Sequence, residues 1–91
     1  MMNQKIQYDR ARAEVLSACR MSIQQIADVL DIDLKALRRD KEQFEGFCAV
    51  LRKGRAKGEA ELRTALYKLA REGDAFALRE LLRTEKSQDD D

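Results

Sequence analysis

The stretch Ser22-Ile23-Gln24-Gln25-Ile26-Ala27-Asp28-Val29-Leu30-Asp31-Ile32-Asp33-Leu34-Lys35-Ala36-Leu37-Arg38-Arg39 decides the fold. Ser22 and Gln25 have the spacing of a capping box, in which each side chain accepts the other's free backbone N–H at a helix start. Ile23, Ile26, Ala27 and Leu30 follow as the apolar stripe of a short helix. Asp31 falls where that helix must stop, and Asp tolerates the left-handed backbone better than most side chains. Asp33 reads as the N-cap of a further helix over about Leu34 to Glu42, with Leu34 and Leu37 inward.

Two short helices joined by a tight turn, after a supporting helix, fit the helix-turn-helix pattern. Ala27 is small where the two helices must cross closely. Ile26, Leu30, Ile32 and Leu37 are apolar where the inner face is buried. Lys35, Arg38 and Arg39 project on or near the outer face of the second helix, where Arg can read guanine edges and either cation can neutralise phosphate. The same three residues would also suit a plain solvated helix face. Asp28, Asp31 and Asp33 would oppose phosphate if exposed near it.

Upstream, a helix is expected from about Tyr8 to Cys19. Its inner stripe is read as Tyr8, Ala11 or Arg12, Val15 and Cys19, widened by Leu16. Downstream, Phe44, Phe47, Cys48 and Leu51 recur at helical spacing. They lead into Arg52-Lys53-Gly54-Arg55-Ala56-Lys57-Gly58. A Gly in a helix interior costs about 1 kcal/mol, so this segment is either kinked or frayed, or straight with close packing. Gly54 and Gly58 could serve as a flexible joint or as a close approach to a neighbouring chain. Arg52, Lys53, Arg55 and Lys57 either add phosphate contacts or are simply solvated. Leu62, Ala65, Leu66, Leu69 and Ala70 restore the stripe. Gly73-Asp74 marks the clearest break, with Gly ending one helix and Asp capping the next. A last helix is expected from about Ala75 to Thr84, with Phe76 or Ala77, Leu78, Leu81 and Leu82 inward.

The expected architecture is all-α. A three-helix helix-turn-helix domain over residues 1–43 is followed by an antiparallel helical hairpin over 44–84 and a disordered acidic tail over 85–91. No Pro, no Trp and only 4 Gly interrupt the 91 residues. Such a short chain buries a limited core, so self-association is a reasonable source of further stability. Cys19 and Cys48 both sit in apolar-periodic stretches and are read as buried, reduced thiols. Nothing resembles a signal peptide and no apolar run approaches membrane-spanning length, so a soluble, cytoplasmic protein is expected.

Lys+Arg 18 against Asp+Glu 17 leaves a net charge of +1. That balance hides a polarised chain: residues 1–45, 46–71 and 72–91 read 0, +5 and −4. Near-neutrality therefore does not exclude nucleic acid, and the +5 and −4 segments of neighbouring chains could attract one another. Catalysis is disfavoured, since the chain has no His, Gly-rich phosphate loop, nucleophile–base pair or metal-ligand cluster. No catalytic residue, metal ligand or cofactor is assigned.

Four blocks carry a resemblance to a known group: residues 22–30, residues 34–39, Gly54-Arg55-Ala56-Lys57-Gly58-Glu59-Ala60, and Ala65-Leu66-Tyr67-Lys68-Leu69-Ala70-Arg71-Glu72-Gly73-Asp74. Over roughly residues 10–84 the chain resembles phage-encoded helix-turn-helix proteins of the small terminase subunit type, which act in viral DNA packaging. The resemblance implies a subunit that binds double-stranded viral DNA and presents it to a large terminase subunit carrying ATPase and nuclease. It also implies a ring-shaped homo-oligomer assembled through 44–84. Asp31 stands where Gly is expected at the turn, and Arg20 where Gly is expected before Met21-Ser22. The resemblance also implies a C-terminal partner-binding segment, expected here to be reduced to residues 85–91. Two other readings of the same domain stand beside this one: a transcriptional regulator binding an operator as a dimer, and an interaction protein in which the motif is only scaffold.

Overall fold

The computed structural model describes residues 5–89, with side chains through Thr84. The chain is all-α, with helices α1 (Arg10–Ala18), α2 (Ile23–Val29), α3 (Leu34–Arg39), α4 (Lys41–Arg71) and α5 (Ala75–Asp89). They group as three short helices followed by two longer ones.

Each helix start is set by a short polar side chain. Asp9, Ser22, Asp33, Asp40 and Asp74 accept the backbone N–H of Arg12, Gln25, Ala36, Gln43 and Ala77 respectively. At Ser22 the box is reciprocal, because Gln25 Oε1 accepts the Ser22 N–H at 2.8 Å. The sequence predicts a third helix through Glu42, but α3 ends at Arg39. Asp40 leaves the helical conformation (φ −99°, ψ 96°) and caps α4 in the same step.

Three helix ends share one geometry. Met21 N–H donates to Leu16 O, Ile32 to Ala27 O, and Asp74 to Leu69 O, while Arg20, Asp31 and Gly73 each donate to the carbonyl three residues back. These are Schellman ends, which need a left-handed residue just past the helix. Arg20 (φ 65°), Asp31 (φ 59°) and Gly73 (φ 98°) occupy that place. The left-handed turn expected at Asp31 is thus present, and Arg20 adopts the conformation for which Gly was expected.

The described chain divides into two compact units at Gly58–Glu59. In the first, Ala13, Ile26, Ala27, Ile32, Leu34, Leu37 and Phe47 form the buried core, with Tyr8, Phe44, Val50 and Leu51 among the residues packed around it. Tyr8 meets Phe47 edge-on, with centroids 5.1 Å apart, a favoured aromatic geometry. The expected domain boundary lies at 43–44. The compact unit instead runs to Gly58, because Phe47 and Leu51 complete the core of the three short helices. Gln43 also ties down the N-terminal segment, accepting the Ile6 N–H and donating to the Ile6 carbonyl.

The inner face of α1 differs from the expected one. Ala13 and Ser17 are buried, whereas Val15 is 62% exposed and Cys19 is also exposed. Cys48 is half-buried, and both thiols are free. Periodicity followed the larger apolar residues, but the selected face is the one that lets two backbones meet. A Cβ on Gly54 would collide with the Glu14 carbonyl oxygen, and one on Gly58 would lie 2.6 Å from the Ala18 oxygen. Ser17 is the polar residue within this crossing and donates to Leu51 O at 2.5 Å. Both glycines lie within the helical run of α4, and each is a position where a side chain would meet the α1 backbone. They are where α1 presses onto an uninterrupted α4.

In the second unit, the end of α4 and the start of α5 are joined by Glu72-Gly73-Asp74. Ala77 is buried, while Leu66, Ala70 and Leu81 are half-buried. Leu62, Ala65, Leu69, Phe76, Leu78 and Leu82 of the expected core stripes are exposed. The α5 backbone continues through 85–89, where a disordered tail was expected; residues 90–91 lie outside the described residues. No helix among the described residues is long and apolar enough to cross a membrane.

Candidate nucleic-acid interface

The turn from Leu30 to Asp33 sets the direction of α3, and burial of Leu34 and Leu37 sets its rotation. At about 100° per residue, those two anchors turn Lys35 and Arg39 away from the core, on one outward face. Arg38 falls on the flank toward α4. Its guanidinium lies 5.6 Å over the Phe44 ring, a cation–π contact that restricts it. All three cations are exposed.

The carboxylates around them are largely committed. Asp33 and Asp40 cap helices, where the positive end of the helix dipole offsets part of their charge. Asp28 accepts from Gln24 Nε2 at 2.9 Å. Asp31 stays exposed at the turn and is the acidic residue that most opposes an anion there.

The basic stretch of α4 is divided between two flanks. Arg52 and Arg55 lie beside Met21 and Ile23, where with Ser17, Cys48 and Leu51 they line a shallow cavity of about 280 Å³. Arg55 Nη2 donates to the Met21 carbonyl at 3.2 Å. Lys53 and Lys57 lie on the other flank, toward α1. Lys57 pairs with Glu14, and its hydrogen bond, helped by the charges of Lys57 and Lys53, lowers the Glu14 pKa below 4.5. Lys35, Arg38 and Arg39 thus share one helix, Arg52 and Arg55 share the flank at the start of α2, and Lys53 and Lys57 serve a contact with α1.

Two contributors were not identified from sequence: Phe44 as the platform for Arg38, and Glu14 as the partner of Lys57. The Phe44 pair spans the α3–α4 break and the Glu14 pair is long-range, so helical periodicity carries no signal for either. The break itself had a readable signal, since Asp40 stands three residues before Gln43 as Ser22 stands before Gln25.

Among the described residues, no group of three His, Cys, Asp or Glu side chains is placed to hold a metal ion. Comparison with protein-family models, with curated proteins and with solved structures gave no match to this chain.

Proposed function

We propose that the first unit is a helix-turn-helix DNA-binding module with α3 as its recognition helix. The chain would serve as the DNA-binding subunit of a phage-type packaging (terminase) complex in the host cytoplasm. One observation carries the reading: α3 follows α2 through a tight turn and exposes Lys35, Arg38 and Arg39. The cross-section of a helix with its side chains, about 10–12 Å, matches a major groove about 12 Å wide, and the 6 residues of α3 give about 9 Å of contact length. Arg52 and Arg55 add positive charge at the start of α2, whereas Lys57 is engaged by Glu14.

Packaging also requires assembly and a large terminase subunit as partner. Self-association through 44–84 is supported by Leu62 (46% exposed), Phe76 (63%) and Leu82 (56%), apolar surface that a second copy would cover. Light scattering of the full chain is expected to give a multimer, and a monomer at high concentration would remove the ring arrangement.

DNA binding is tested by fluorescence anisotropy with a duplex of mixed sequence. Neutralising three to five phosphates predicts roughly a 40- to 500-fold loss of affinity per chain between 50 and 200 mM salt. Arg38→Ala with Arg39→Ala should weaken binding and flatten that slope. Undetectable binding at low salt, or binding indifferent to the double substitution, would overturn the reading. Co-purification with the large ATPase subunit separates a packaging role from an operator-binding dimer.

A further inference from the structure

We infer that Lys35, Ala36 and Arg39 form a base-reading face, with Arg39 directed to guanine, while Arg38 and Arg55 are phosphate-positioning residues. The inference rests on the proposed DNA-binding role and divides labour among cations that the sequence alone leaves equivalent.

The division follows from what holds each side chain. Arg38 is turned to the flank of α3 and packed over Phe44 at 5.6 Å. Its ring-facing surface is occupied, but the N–H edges of the guanidinium stay open, an arrangement suited to holding a phosphate at fixed register. Arg55 is likewise held, through its hydrogen bond to the Met21 carbonyl. A side chain already fixed on the protein loses less freedom when it meets a backbone phosphate.

Arg39 differs. It lies one turn beyond Lys35 on the face opposite Leu34 and Leu37, and both are exposed. Among the described residues, neither side chain makes a hydrogen bond, ion pair or ring contact. The planar fork of arginine matches guanine O6 and N7 bidentately. Ala36 lies beside them with only a methyl group, so the helix can approach base edges closely, and that methyl suits contact with thymine C5-methyl. The neighbouring acids at either end, Asp33 and Asp40, are drawn back onto the Ala36 and Gln43 amides.

The test is selection from a randomised duplex pool by the full chain, repeated with Arg39→Gln and with Arg38→Gln. Retention of helical circular dichroism would show that each variant is folded. Wild type is expected to enrich a short motif containing a guanine. Gln pairs bidentately with adenine, so Arg39→Gln should shift preference at that one position from guanine to adenine. Loss of the guanine contact should cost about 5- to 150-fold in discrimination. Arg38→Gln should weaken binding to all sequences about equally and leave the motif unchanged. The inference is overturned if Arg38→Gln changes the motif while Arg39→Gln does not. It is also overturned if wild type binds duplex DNA but enriches no motif; in that case the DNA-binding role itself survives. Absence of any duplex binding overturns both.

Discussion

At Gly54 the space between α4 and α1 is filled by a hydrogen atom. Any Cβ would overlap the Glu14 carbonyl oxygen and lie 2.9 Å from two further backbone atoms of that residue. Backbone cannot step aside as a flexible side chain can, so Gly54→Ala should destabilise the protein by about 3 kcal/mol. Gly46 lies in the same helix with nothing within 4 Å of an added Cβ. Gly46→Ala should therefore stabilise by up to about 1 kcal/mol through helix propensity alone. Urea unfolding of the two variants measures this opposition in sign. Beside the crossing, Lys57 keeps Glu14 ionised to lower pH than usual. A carboxylate whose folded pKa is depressed contributes stability that is complete above its ordinary value and lost as pH falls through the folded one. The difference in melting temperature between wild type and Glu14→Gln should therefore be largest above about pH 5. It should shrink steadily on acidification, and a difference that does not change with pH would deny the pair this role.

At the scale of elements, helix existence was more legible than helix faces. Ser22, Asp33 and Asp74 announced three helix starts, and each caps as expected. Asp9 and Asp40 carry the same chemistry, but apolar periodicity runs through both positions and hides them as helix starts. The face of α1 departs from the periodicity for a different reason. Its buried residues, Ala13 and Ser17, are chosen by how closely α1 approaches Gly54 and Gly58, which depends on a partner 34 or more positions away. The site followed the same rule. That α3 is basic could be read locally, but Arg38 against Phe44 and Arg55 against Met21 needed tertiary placement. Asp31 holds a left-handed backbone at φ 59°, which Gly adopts without a side-chain penalty. Asp31→Gly should leave stability within about 0.5 kcal/mol of wild type or slightly above it. It should also tighten duplex binding by removing an exposed negative charge beside α3. Weaker DNA binding in a normally folded variant would place the interface elsewhere.

At the scale of the whole molecule, the net charge of +1 conceals segments of 0, +5 and −4. The structure subdivides the +5 segment further, since Lys57 is spent on Glu14 while Arg52 and Arg55 remain beside the start of α2. One chain thus offers a small cationic surface; in the proposed role it would bind duplex DNA modestly and with strong salt dependence, and self-association would multiply that affinity. The proposed contact between α3 and duplex DNA is tested by amide chemical-shift mapping of the full chain titrated with a duplex at low salt. The largest changes are expected at Lys35 to Arg39, smaller ones near Arg52 and Arg55, and little change from Leu62 to Thr84; saturable binding that moves the amides of 62–84 and leaves α3 unchanged would refute that contact.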